Sequence, residues 1–136
     1  MYQFGTTSKE RLATCHEDLQ KVMNLAIKRS PIDFGIACGH RSIQDQKKAF
    51  DEGKSKIDGI TKKGKHNYSP SLAVDTYAFV NGKASWEVHH LCIIIGVVFS
   101  CADELGISIR SGANWDQDGE FITDQKFQDL PHFELI

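Results

Sequence analysis

The chain has no C-x-x-C pair, no excess of positive charge and no apolar run long enough to cross a bilayer, and each absence removes a class of function. Its four cysteines, Cys15, Cys38, Cys92 and Cys101, lack the spacing of a zinc ribbon. If Cys92 and Cys101 share a helix, nine residues at about 1.5 Å each hold them roughly 13 Å apart, beyond the ~7 Å reach of a disulfide. The cysteines therefore read as small buried hydrophobes of a reducing compartment. A net charge of -2 and a pI near 6.3 argue against a nucleic-acid binder, which normally carries a strongly basic face. The longest apolar stretch, residues 91–102, falls short of the roughly 20 residues of a membrane span, so no membrane insertion is expected. No basic region precedes an apolar segment at the N-terminus, which predicts cytoplasmic synthesis without a signal peptide.

What the chain does have is 136 residues with 40% hydrophobic content, enough for one domain, residues 1–136, with a core of its own. Thr7-Ser8-Lys9-Glu10 reads as a capping box, and Leu12, Cys15, Leu19, Val22, Met23 and Ala26 continue at helical spacing until Pro31. His16 lies at the boundary of that stripe. Residues 34–38 form a short buried strand by composition. Ser42, with Asp45 three residues on, caps a second helix bearing Ile43, Gln46 and Phe50 and ending at Gly53. Residues 72–80 read as a strand with Asp75, Tyr77 and Phe79 on one face, followed by an Asn81-Gly82 turn. Ser85 is expected to cap a third helix, 86–105, apolar nearly all round and hence centrally buried, with Gly106 closing it. The adjacent His89 and His90 diverge by about 100° on that helix and read as structural or surface residues. Residues 107–110 and the C-terminal segment supply two more strands. The expected fold is α+β: a small, mainly antiparallel sheet with helices packed against it.

Two stretches carry chemistry. His66 sits among turn residues, and Asp75 lies within the apolar run that follows; a carboxylate there is costly unless something pairs with it. Nearly at the end comes Asp129-Leu130-Pro131-His132-Phe133-Glu134-Leu135. His66, Asp75 and His132 are ligand types that Zn2+ accepts at a catalytic site, where three protein ligands leave a position open for water. Asp129, three residues before His132, is placed to act as the base, with Glu134 a weaker rival. By spacing alone, an Asp129 that caps a turn and a His132 packed in the core fit equally well. Arg41, in a turn after a strand, suits a substrate carboxylate or an oxyanion, or equally a structural pair with Asp45. Lys54, Lys56, Lys62, Lys63 and Lys65 form either a solvated loop or an electropositive rim for an anionic substrate. Residues 114–119 resemble the start of a Ca2+ loop, but the twelfth position is Gln125 where a bidentate glutamate belongs, so a plain turn positioning Trp115 is the simpler reading.

Taken together, Gly39-His40-Arg41-Ser42 with Gln46 and Gly53, His66 through Ala73-Val74-Asp75, Gly112-Ala113-Asn114-Trp115 and the final block resemble the zinc D,D-carboxypeptidase/L-alanyl-D-glutamate endopeptidase family, which includes bacteriophage endolysins. The resemblance runs from about Phe34 to the end. It implies metal ligands His66, Asp75 and His132, catalytic Asp129 and Arg41, and substrate-side positions at Gln46 and Trp115. It also implies a peptidoglycan substrate, a monomer, and action on the wall once the host membrane has been permeabilised. Two departures bear on the pocket: Gly64 stands where the family usually has serine, and the stretch from Tyr68 to Leu72 carries two extra residues, which preserve strand parity. A D,D-carboxypeptidase on the same fold, or an inactive wall-binding module, remains an alternative at this point.

Overall fold

Val74, Thr76 and Ala78 face one way and Asp75, Tyr77 and Phe79 the other, and this alternation organises the fold. The computed structural model describes residues 1–122 and 128–136. In chain order the elements are α1 (Thr6–Leu12), α2 (Glu17–Arg29), β1 (Asp33–Cys38), α3 (Ile43–Asp51), a 3₁₀ turn (Lys65–Asn67), β2 (Ala73–Val80), β3 (Lys83–Ser85), α4 (Val88–Leu105), β4 (Ile109–Gly112) and β5 (Asp129–Leu135). The strands form one sheet in the order β1-β2-β5-β4, with β3 also paired to β2, and every pairing is antiparallel. The fold is α+β, as the pattern of elements suggests.

The core lies on one face of this sheet. Phe34 and Ile36 of β1, Val74 and Ala78 of β2 and Phe133 of β5 meet Leu19, Val22, Met23 and Ala26 of α2 and Leu91, Ile94 and Val98 of α4. Phe133 is wholly buried at the centre, and truncating such a side chain to alanine costs about 3–5 kcal/mol. The other face carries the polar residues discussed below.

Several local expectations are corrected. The single first helix is two, because residues 14–16 pair with Ser71. Cys15 bridges to Ser71, His16 N–H donates to the Ser71 carbonyl, and Ser71 N–H donates to the Thr14 carbonyl. His16 then caps α2 by accepting from Asp18 N–H at 3.0 Å. The capping box at Thr7 does not form: Gly5 is the N-cap, without a side-chain bond. Ser8 instead accepts from Ile36 N–H at 3.0 Å, and Arg11 donates to the Ile36 carbonyl at 3.0 Å, so α1 satisfies the free edge of β1. In α3, Ser42 caps Asp45 N–H as expected, but Ile43 and Phe50 are exposed while Gln46 is buried.

Asn81 and Gly82, at φ 53° and 77°, turn β2 into β3, a three-residue strand with too little pattern to be read in advance. Glu87, not Ser85, is the N-cap of α4. That helix has the length and composition of a membrane span, yet its Leu91, Ile94, Ile95, Val98, Cys101 and Ala102 face packs in the core while Cys92 and Ile93 are exposed. It is one-sided, not centrally buried. All four cysteines are free; Cys15 and Cys101 are buried, Cys38 is half-buried and Cys92 is exposed.

Candidate active site

Register places the site. Asp75, on the inner strand β2, stands opposite Cys38 of β1 on one side and His132 of β5 on the other. Directly opposed residues on adjacent strands hold their Cβ atoms about 4.5–5.5 Å apart, so these three side chains meet on the face away from the core. Next in the row, Glu134 of β5 stands opposite Arg110 of β4. His66 comes in from the 3₁₀ turn above the sheet, and Asp129 opens β5.

The two imidazoles converge on one oxygen. His66 Nε2 lies 3.2 Å and His132 Nδ1 3.1 Å from Asp75 Oδ1. Each ring is held from behind: His66 Nδ1 donates to the Gly39 carbonyl at 2.7 Å, and His132 Nε2 donates to Glu134 Oε1 at 2.8 Å. Arg110 in turn donates to Glu134 Oε2 at 2.8 Å. Such outer partners fix which ring nitrogen faces a metal. A tetrahedral ion with bonds of about 2.0–2.1 Å needs neighbouring donors about 3.3 Å apart, close to the observed separations. The donors of Cys38, His66 and Asp75, and those of Asp75, Asp129 and His132, each gather within 4.8 Å of one another, so the two histidines flank Asp75 with ligand types that a zinc-type ion accepts.

The electrostatics agree with that fit. Burial disfavours charge on His66, but Asp75 outweighs it and lifts the imidazole from 6.5 to about 10. Burial acts likewise against His132, and its hydrogen bonds to Asp75 and Glu134 raise it. Burial opposes charge on Asp75 too, yet the two histidines hold its carboxyl far below the usual range. Without a metal, Asp75 thus favours the protonated form of both imidazoles, and a bound cation would compete with those protons. Asp129 goes the other way, raised chiefly by burial and then by the neighbouring charge of Asp75.

Every residue singled out in the sequence lines one cleft of about 540 Å³: Arg41, Gln46, His66, Asp75, Trp115, Asp129 and His132. Arg41 pairs with Asp75, at 3.4 Å, and not with Asp45; it also donates to Gln46 Oε1 at 3.1 Å. Trp115 packs its ring 5.2 Å from that of His132 and beside the Arg110 guanidinium. All five lysines of the loop line the same cleft. Glu134, weighed as a rival base, is already engaged by His132 and Arg110 and serves as their orienting partner.

The sequence reading assigned Cys38 no role beyond packing. Its sulfur lies within 4.8 Å of donor atoms of His66 and Asp75, as Asp129 does of Asp75 and His132. Burial opposes ionisation of Cys38, but its hydrogen bond to His66, the charge of His66 and then Arg41 bring the thiol below its usual range. Nothing in its spacing announces this, since a bulge between Ile36 and Cys38 sets the register.

Both departures have structural accounts. A Cβ on Gly64 would come within 3.2 Å of Asn67 Oδ1, which already accepts the Gly64 N–H at 2.8 Å. In the stretch from Tyr68 to Leu72, the Ser71 hydroxyl donates to the Ala73 carbonyl at 2.7 Å, and Asp75 keeps its place opposite His132. Gly112 is needed because a Cβ there would overlap the Asp129 backbone, so it lets β4 close against the start of β5. In the loop 114–119, Asn114 Oδ1 accepts from Asp118 N–H and Asp118 Oδ1 from Glu120 N–H, a self-closed turn. Gln125, on which the calcium-loop comparison turned, lies outside the described residues.

The same arrangement has known relatives. The chain is 33% identical to the L-alanyl-D-glutamate peptidase of Escherichia phage T5 over 138 residues, covering 99% of this chain and 98% of that protein. It is similar to the crystal structure of the Serratia marcescens L-Ala D-Glu endopeptidase ChiX, with a TM-score of 0.79 and 30% identity, over 98% of this chain and 90% of that one. The model of the phage L-alanyl-D-glutamate peptidase family matches residues 1–136. The chain belongs to the phage L-alanyl-D-glutamate peptidase family.

Proposed function

We propose that the chain is a zinc-dependent peptidoglycan peptidase that hydrolyses the L-alanyl-D-glutamate bond of the stem peptide, as a phage endolysin. The observation that carries this reading is the convergence of His66 Nε2 and His132 Nδ1 on Asp75 Oδ1 beside Asp129. His66, Asp75 and His132 would hold the zinc, which would supply Lewis acidity toward the attacking water and the scissile carbonyl.

The chain's own residues do the rest. Asp129 accepts the proton of the attacking water and returns it to the departing amine. Its raised pKa suits the first task, because a carboxylate of higher pKa is the stronger base toward the attacking water. Arg41 reaches the cleft from the turn before α3 and stabilises the oxygen on which charge develops. Glu134 and the Gly39 carbonyl keep both imidazoles aimed inward. Trp115 walls the cleft next to His132 and meets the substrate's side chains. The chain acts as a monomer on the wall, after the host membrane has been permeabilised.

Metal analysis of the purified protein should find one zinc per chain. His66→Ala, Asp75→Ala and His132→Ala should each lose zinc and activity together. Full activity on isolated peptidoglycan after complete chelation overturns the zinc reading.

A further inference from the structure

One buried, fully bonded polar side chain in the cleft wall is not used by the mechanism. Gln46 is 2% exposed, on the first turns of α3. Its Oε1 accepts from Arg41 at 3.1 Å, and its Nε2 donates to Ser55 Oγ at 2.8 Å and to the Ile57 carbonyl at 2.7 Å. The amide is thus spent within the protein, with its acceptor toward the arginine and its donors toward the lysine loop. Gly59, at φ 82°, passes so close that a Cβ there would lie 3.0 Å from Gln46 Cγ. The loop's far end is tied separately: Lys65 Nζ donates to the Leu135 carbonyl at 2.9 Å, and Asn67 Nδ2 to the Arg41 carbonyl at 3.0 Å. Asp58 closes its middle by accepting from Ile60 and Thr61 N–H at 2.9 Å. The loop is therefore a bonded wall of the cleft, with Arg41 at its base and lysines along its rim.

We propose that Gln46 is a positioning residue that joins Arg41 to the lysine rim, and that this joined wall reads free carboxylates on the substrate next to the scissile bond. The substrate class follows from the charges. The wall carries Arg41, Lys54, Lys56, Lys62 and Lys63. Against them stand Asp75, 3.4 Å from Arg41, and Glu52, 3.7 Å from Lys54. Asp129 lies beside Asp75 and His132, and Glu134 is held by His132 and Arg110, so cations outnumber the carboxylates that face them. A stem peptide whose D-glutamate keeps its α-carboxylate offers a charge-assisted partner to that wall; the amidated form offers only a neutral one. Glutamine suits the joint where glutamate does not, because a second carboxylate oxygen would face the Ile57 carbonyl, acceptor against acceptor.

The substrate half of this inference rests on the peptidase reading; the joint itself does not. The test compares kcat/KM on two synthetic stem peptides, identical except that the D-glutamate α-carboxyl is free in one and amidated in the other. The parent should prefer the free acid by about tenfold or more, the scale of one charge-assisted contact. Gln46→Met should bring the preference to within about twofold with zinc content unchanged, whereas a merely structural defect lowers both rates alike. Ser55→Ala, which removes one loop-side bond only, should fall between the two and covers the case of a Gln46 variant that does not fold. Trypsin supplies a readout free of activity: cutting after Lys54 and Lys56 should be faster in both variants than in the parent. A parent that cleaves both peptides equally well overturns the carboxylate reading. A Gln46→Met variant that keeps the parent's preference and trypsin resistance overturns the joint. If the zinc-loaded parent cleaves neither peptide, the peptidase reading and the substrate half fall together, and trypsin alone decides the joint.

Discussion

Replacing Asp129 by asparagine separates the proposed base from the proposed ligands. Asparagine keeps the shape of the side chain and leaves intact the backbone pairing of Asp129 with Gly112, so β5 should start where it does now. The two carboxylates of Asp75 and Asp129 lie within 4.8 Å and repel, which is part of why the Asp129 pKa is raised. Removing one of them should not destabilise the fold, and the melting temperature should stay within a few degrees of the parent's. Zinc should also remain at one per chain, because His66, Asp75 and His132 are untouched. What disappears is the proton acceptor. General-base catalysis contributes typically about 10²–10⁴-fold, or about 2.7–5.5 kcal/mol on the barrier at about 1.36 kcal/mol per tenfold. Initial rates of cleavage on purified muropeptides, followed by mass spectrometry, should fall by at least the lower figure. Asp129→Ala should match it in rate with a somewhat lower melting temperature. An Asp129→Asn protein that binds zinc, melts like the parent and cleaves within tenfold of it refutes the role given to Asp129.

Three further outcomes follow from the site. Protonated His66 contributes stability to the metal-free fold that is complete below about pH 6.5 and fades as the pH rises toward about 10. Zinc replaces that proton, so the gap in melting temperature between zinc-loaded and metal-free protein should widen from pH 6.5 upward; a constant gap contradicts the shared site. The lysine rim should make activity on intact sacculi fall with added salt, and neutralising Lys54, Lys56, Lys62 and Lys63 should flatten that dependence; an unchanged salt profile returns the loop to a solvated role. Because Asn114 Oδ1 and Asp118 Oδ1 each accept a backbone N–H of the turn, millimolar Ca2+ should change neither activity nor melting temperature, and a clear shift in either revives the calcium loop.

The strands that build the site were legible because each breaks its own pattern. Asp75 is a charge inside an apolar run, and His132 interrupts another, which is how a sequence shows a polar face laid on a buried sheet. Long-range partners were less legible. The stripe from Leu12 to Ala26 reads as one helix, and only the bonds of residues 14–16 to Ser71, far along the chain, divide it. Of Ile43, Gln46 and Phe50 on the second helix, the polar residue is the buried one, because Arg41, Ser55 and Ile57 satisfy it while Ile43 and Phe50 stay in solvent. Cys38 and Arg110 enter the site through register, and Glu134 exchanges the role of a rival base for that of an orienting partner once Arg110 and His132 flank it.

The central claim is the bond that is cut. Muropeptides digested by the zinc-loaded protein and mapped by mass spectrometry should show the stem peptide released as one piece, with a new amino terminus at D-glutamate and a new carboxyl terminus at L-alanine. Loss of only the terminal D-alanine would identify a D,D-carboxypeptidase instead. No new terminus at all from zinc-loaded, folded protein would contradict the account outright.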